Sequence, residues 1–273
     1  MAELANPRTF FVSGGMSGIG KALALEYSRR GADIAVFDLV VEDTVVAELE
    51  NARRSQSQKI VAYQASVTDF EQLREAVDKA AAALGAPALA INCAGINKAL
   101  PFAELPREDY ERVVQVNVFG TRNFAAAVLP LMERGGRLAL VASMAGFTAN
   151  YCYAAYSSSK FAVVGLGKVL RLECKPKGIA VSLICPPEVD TPMVVEEMKD
   201  MHPVSRALKD LAGSLTVEEA MRGIFAGLDA GKHVIIPGGK AKLTYFFNRY
   251  LPEFVMNALV DRIVRSELKK MGA

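Results

Sequence analysis

From Thr9 to about Ile236, short apolar β-rich runs alternate with longer segments whose apolar residues recur at helical spacing. That alternation restricts the fold more than any other feature of the chain. The runs FFV, IAVF, LALVA and VSLI are continuously apolar, as strands covered on both faces must be. The predicted strands are Thr9–Ser13, Asp33–Phe37, Ile60–Gln64, Leu89–Asn92, Arg137–Ala142, Ala180–Ile184 and His233–Ile236. Helical periodicity predicts Gly18–Arg30, Phe70–Leu84, Arg107–Met132, Ala155–Lys175 and Val217–Asp229 between them. Strands that alternate with helices pair in parallel and bury both sheet faces under the helices. The expected fold is therefore α/β, a Rossmann-type doubly wound parallel sheet. No repeat or Pro/Gly/Ser-rich linker divides the 273 residues, so residues 1–239 read as one catalytic domain, with 240–273 as a helical extension of it.

Charge and cysteine usage remove several function classes. The 32 basic and 30 acidic side chains leave a formal charge of +2, too little for a protein held on nucleic-acid phosphates. Cys93, Cys152, Cys174 and Cys185 lie far apart with no CxxC pair, which suits a reducing cytosol rather than a disulfide framework or structural zinc site. His202 and His233 are equally isolated, so no metal is expected. Met1–Arg8 has no apolar leader core. Leu138–Ser159 carries no charge over 22 residues, long enough to span a bilayer. Its Ser143, Gly146, Thr148, Asn150, three tyrosines and a serine run make burial around a site the better reading.

Two motifs carry chemistry. Ser13-Gly14-Gly15-Met16-Ser17-Gly18-Ile19-Gly20 follows a predicted strand and opens a predicted helix. Glycines at 14, 18 and 20 allow a tight turn, close approach of a pyrophosphate, and helix–strand packing. The helix N-terminus adds free N–H groups and a positive dipole end. Asp38, 18 residues past Gly20 at the end of the second strand, is placed to accept hydrogen bonds from an adenosine ribose. Its charge would repel a 2′-phosphate, and position 17 is Ser rather than a basic residue, so NAD is favoured with NADP as the alternative. A helix-capping role is the competing reading of Asp38. The second motif is Tyr156-Ser157-Ser158-Ser159-Lys160, with Ser143 thirteen residues upstream. Tyr and Lys at i and i+4 share a helix face. A nearby ammonium is expected to lower the phenol's pKa, giving an acid/base for a carbonyl/alcohol pair.

Together these motifs make the chain resemble the short-chain dehydrogenases/reductases over roughly Thr9 to Ile236. Ser13-Gly14-x-x-x-Gly18-Ile19-Gly20 matches that family's cofactor loop, and Asn92-Cys93-Ala94-Gly95 its NNAG segment. The resemblance implies catalytic roles for Ser143, Tyr156 and Lys160, and for Asn117 as holder of a relay water. It implies that Tyr156 and Lys160 also touch the cofactor, and that Pro186, Val189 and Thr191 line its nicotinamide end. An Asp-Val pair common in the family stands here as Ser66-Val67, which leaves adenine to the backbone and Val67; Asp69 is expected to cap the next helix. Within the family, the stretches around Asn92, Tyr156 and Cys185–Pro192 look most like the 3-ketosphinganine reductases. Those enzymes reduce a long-chain ketone with NADPH and associate with membranes, a cofactor at odds with Asp38.

The expected substrate is a secondary alcohol or ketone, apolar in character. Asn97, Met144, Ala145, Tyr151 and Tyr153 are the candidate pocket residues before the sixth long strand; Glu188, Met193 and Val194 follow it. The resemblance implies that Met193, Val194, Met198 and Met201 lie in a lid segment, where their flexible side chains would suit an apolar ligand. Glu188 is unusual there and is read as meeting a polar end of the substrate. Lys240–Ala273 holds seven basic against three acidic side chains, a local charge of +4, among many large apolar residues. It is read as cover for the core or a partner subunit, with contact to a membrane surface as the alternative. The family resemblance implies a homodimer or homotetramer packed through Arg107–Met132 and Ala155–Lys175. A fold-retaining scaffold without turnover is the competing function class, which an intact Tyr–Lys pair argues against.

Overall fold

The computed structural model describes residues 6–199 and 201–272. Most of Met1–Arg8, read above for a leader, and the final Ala273 of the tail lie outside the described residues. Seven parallel strands form the sheet: β1 (Thr9–Ser13), β2 (Asp33–Asp38), β3 (Ile60–Gln64), β4 (Leu89–Asn92), β5 (Arg137–Val141), β6 (Ala180–Ile184) and, after the short pair described below, β9 (Val234–Ile235). Their order is β3-β2-β1-β4-β5-β6-β9, so the winding direction reverses between β1 and β4. There the loops after the two strands part and open a crevice at their carboxyl ends. In β1, Phe10 and Val12 face one buried cluster and Phe11 the other, which is why the strand shows no polar alternation.

Helices α1 (Gly18–Arg30), α2 (Asp43–Asn51), α3 (Phe70–Leu84), α4 (Arg107–Val114), α5 (Gly120–Val128) and α6 (Ala154–Cys174) connect the strands up to β6. The Asp69 side chain caps α3 by accepting from the Gln72 N–H at 3.0 Å. The helix expected over Arg107–Met132 is broken into α4 and α5 by a π turn at Gln115–Phe119 and ends at Val128. At the turn, the Asn117 side chain bonds the backbone of Ile96, a tertiary contact that apolar spacing does not report. The uncharged Leu138–Ser159 stretch splits into β5, a 3₁₀ turn (Met144–Gly146) and the start of α6.

After β6 the chain forms a second, two-stranded parallel pair, β7 (Glu188–Val189) and β8 (Ser214–Leu215). Between them stand α7 (Pro192–Met198) and α8 (Pro203–Ala212), neither predicted, as α2 also was not. These helices are short; α7 buries no residue, and α8 buries only Val204 and Ser205 in its first turn. Helix α9 (Val217–Asp229) opens on a Thr216/Glu219 capping box. The tail forms α10 (Gly239–Tyr250) and α11 (Glu253–Lys270), both packed against α8. Among the described residues no helix is long and apolar enough to cross a membrane.

Candidate active site

One cavity of about 970 Å³ runs from the glycine loop, along the carboxyl ends of β1, β2 and β4, to α7 and α8. At its near end α1 begins at Ser17, which makes no side-chain capping bond, and the first turn contains no acidic residue. The first N–H groups of a thirteen-residue helix therefore face the cavity with the positive end of its dipole. Gly18 takes φ +50, where a side chain would strain the backbone, and a Cβ at Gly20 would collide with the Gly14 carbonyl. Both observations fit a cradle that brings backbone against a diphosphate. Asp38 lines the same cavity and accepts the N–H of Met16 at 2.9 Å and of Leu39 at 2.8 Å. It thus ties the glycine loop to the end of β2 and caps no helix; α2 starts after Glu42. An adenine dinucleotide fits this donor set, with Ser66 and Val67 on the wall beyond Asp38.

Not every glycine-loop residue reaches the wall. Gly14, Ser17, Gly18 and Ile19 do, as do Ala94 and Gly95 after β4. Gly20, Ser13 and Asn92 do not. The Ser13 hydroxyl donates to Asn92 Oδ1 at 2.6 Å, and Asn92 Nδ2 donates to Thr121 Oγ1 at 2.9 Å, so this pair ties β1, β4 and α5 together behind the site. Thr191, Pro186 and Val189 line the opposite side; a Cβ at Gly18 would sit 3.5 Å from the Thr191 methyl, so the two walls meet there.

Tyr156 and Lys160 lie one turn apart on α6 and both face the cavity, beside Ser143 at the end of β5. The Lys160 Nζ stands 5.5 Å from the Tyr156 ring centroid and donates to the Val141 carbonyl at 3.0 Å. Burial drives this ammonium down to about 8. The phenol departs from expectation. Burial pushes Tyr156 up to about 12, against a hydrogen bond with Ser143 that lowers it. Desolvation of the phenolate, with the Glu197 charge adding to it, thus outweighs the Ser143 hydrogen bond.

Asn117 is fully buried and lies behind the wall. Its Oδ1 accepts from the Ile96 N–H at 2.8 Å, and its Nδ2 donates to the Ile96 carbonyl and to Ser159 Oγ, each at 2.9 Å. Both amide hydrogens are spent on protein, and its backbone carbonyl accepts from the Thr121 hydroxyl at 2.6 Å. The side chain therefore fastens the loop after β4 to the helix bearing Tyr156.

At the far end, Met144, Ala145, Met193, Val194 and Asn97 line the cavity as expected. Tyr151 does not; its ring packs on His202 at 4.6 Å, at the start of α8. Glu188 reaches the wall, but its side chain is only 4% exposed and is bound by Lys209 and, at 2.9 Å, by Arg206. Burial raises its pKa, yet hydrogen bonds from those two cations hold it below the usual carboxylate range. That carboxylate is committed within the protein. Glu197 on α7 and Lys209 on α8, which sequence reasoning missed, also line the cavity. No motif marks them; only the packing of two unpredicted helices brings them there.

Residues 8–202 match the family model for short chain dehydrogenase. Over 218 residues the chain is 32% identical to 3-ketodihydrosphingosine reductase of Mus musculus, which covers 78% of this chain and 66% of that protein. It thus spans just under two thirds of that relative's length. A 3-dehydrosphinganine reductase of Danio rerio is 32% identical over 227 residues, 78% of this chain and 68% of the relative. Among solved structures, a short chain dehydrogenase from Mycobacterium paratuberculosis bound to NAD superposes with a TM-score of 0.77 at 25% identity, over 86% of this chain and 98% of that one.

Proposed function

Because the chain belongs to the short-chain dehydrogenase family, we propose that it is an oxidoreductase that reduces a long-chain ketone to the secondary alcohol. The observation that carries this is the convergence of Ser143, Tyr156 and Lys160 on the cavity that begins at the uncapped N-terminus of α1. The residues that would hold a nicotinamide dinucleotide are the N–H groups after Ser17 for the diphosphate, Asp38 for the adenosine ribose, and Val67 beside adenine. Lys160 and Tyr156 would hold the second ribose, and Thr191 and Val189 the carboxamide. The reduced ring supplies the hydride. Tyr156, held protonated by burial, gives its proton to the carbonyl oxygen as that oxygen gains charge. Ser143 donates a hydrogen bond to the same oxygen, and the Lys160 charge steadies the phenolate left behind. Asn117 acts as a positioning residue.

An apolar chain on the substrate is supported by Met144, Ala145, Met193 and Val194 around the reacting end and by the reductase names of the relatives. NAD is favoured over NADP by the Asp38 carboxylate. The reading treats residues 1–239 as the catalytic domain and 240–273 as its extension. The exposed row Phe161, Val169 and Leu172 on α6, with Phe119 beside it, fits a second copy of the chain. The exposed Phe246, Tyr250 and Phe254 of the basic tail fit an anionic membrane surface.

Loss of reduced-nicotinamide absorbance, followed with a long-chain and a short-chain ketone and with NADH and NADPH in turn, tests the reading. The long chain with NADH is expected to react fastest. No turnover of any ketone with either nucleotide would overturn it, and a preference for NADPH would overturn the role given to Asp38.

A further inference from the structure

The loop after β3 forms the cavity wall beyond Asp38, and most of its polar groups are engaged within the protein. The Ser66 N–H donates to Gln72 Oε1 at 2.8 Å. The Ser66 hydroxyl accepts from the Thr68 N–H at 3.2 Å and shares a hydrogen bond with Thr68 Oγ1 at 2.8 Å. Ala65 donates its N–H to the Asp38 carbonyl at 2.8 Å. Val67 is the exception. Its carbonyl is taken, but its N–H has no partner among the described residues, although the residue is only 8% exposed and lines the cavity. A buried backbone donor left open asks for an acceptor, and the ring nitrogens of a purine are acceptors.

The Val67 carbonyl is held by a side chain from another element. Asn123 on α5 is buried, lies 56 residues away in sequence, and donates its Nδ2 to that carbonyl at 2.9 Å. Arg122 Nη1 donates to Asn123 Oδ1 at 3.2 Å, which fixes the amide with its N–H side toward Val67. One turn earlier, Gly120 makes room for the Val67 side chain: a Cβ there would stand 2.6 Å from Val67 Cγ2. Gly120 has an ordinary helical φ of −59, so close approach, and not backbone strain, is what calls for glycine. A hydrogen bond and a bare stretch of helix backbone thus grip Val67 from the side of α5.

Resting on the reading of the cavity as a dinucleotide site, we propose that Asn123 is a positioning residue for the adenine end of the cofactor, acting through Val67, with Gly120 as the seat for the Val67 side chain. It touches no reacting atom. Its part is to hold the backbone that presents the Val67 N–H and side chain to the purine. That part weighs more here because the Ser66 hydroxyl is already shared with Thr68.

The test compares Asn123→Ala with the parent protein by calorimetric titration with ADP-ribose, which carries the adenosine end and no nicotinamide, and by ketone reduction with NADH. The dissociation constant for ADP-ribose is expected to rise about tenfold, as for the loss of one buried hydrogen bond. KM for NADH should rise in step, while kcat at saturating NADH stays within twofold. ADP-ribose affinity equal to the parent's would overturn the inference even if the variant melts earlier, because the contact would then serve the fold alone. A fall in kcat with KM for NADH unchanged would overturn it too, since that places the effect at the reacting end. Should Asn123→Ala fail to fold, Gly120→Ala decides: its methyl displaces Val67, the same rise for ADP-ribose is expected, and unchanged affinity would overturn the inference. A parent protein that binds ADP-ribose but reduces no ketone contradicts the reductase reading, and the titration then decides the inference by itself. A parent protein that binds no ADP-ribose overturns the inference.

Discussion

Tyr156 and Lys160 show how burial and charge divide a site between them. The spacing places them on one helical face, and the structure agrees. What spacing does not contain is the depth at which that face lies. The same desolvation that pushes the phenol up to about 12 pulls the lysine down to about 8, since each loses its charged form in a dry site. A phenol that keeps its proton starts in the protonation state that ketone reduction requires. The lysine is the group that changes state near neutrality. Below about pH 8 it is charged and can steady the developing phenolate; above, it is neutral and cannot. The kcat/KM for the dinucleotide in ketone reduction, which reports the free enzyme, is therefore expected to be level below pH 8. Above it, the value should fall about tenfold per pH unit. A profile level to pH 10 would contradict this. Asp38 and the glycine loop were legible because their chemistry is local. Glu197 and Lys209 were not, because nothing within their own segments distinguishes them from any amphipathic helix.

The tail helices illustrate a different gap between pattern and packing. Helix α10 is fastened to the site side of the molecule: Asn248 Nδ2 donates to the Phe147 carbonyl at 2.9 Å, and Tyr245 packs edge-on against the Phe147 ring at 4.8 Å. Thr244 Oγ1 donates to the Leu211 carbonyl of α8 at 2.8 Å. The expectation of a cover for the core is met by this inner face alone. Outward, Phe246 is 53% and Phe254 74% exposed, and α11 buries no residue at all. Aromatic side chains on basic helices partition into the headgroup region, each by about 2 kcal/mol of apolar burial. Phe254→Asp and Phe246→Asp change exposed positions, so folding is expected to persist. Together they should weaken sedimentation with anionic phospholipid vesicles more than tenfold. Equal binding by variant and parent protein would show that this face does not meet lipid.

At the scale of the molecule, the parallel sheet was legible because its strands centre on apolar runs and most of them are followed by a helix of readable period. The edges were not. The strand expected over His233–Ile236 shortens to Val234–Ile235, and β7 and β8 are two residues each, below the length at which alternation can be read. The π turn at Asn117 depends on a contact with Ile96, distant in sequence. These irregular pieces surround the cavity, whereas the regular ones carry it. The account rests on Tyr156 giving its proton to a substrate held at the reversal between β1 and β4. The most direct measurement is a comparison of Tyr156→Phe with the parent protein by cofactor-binding titration and by single-turnover ketone reduction. The account predicts NADH affinity within a few-fold of the parent and a hydride-transfer rate lower by about 10²–10⁴. Reduction at the parent rate by the phenylalanine variant would contradict it.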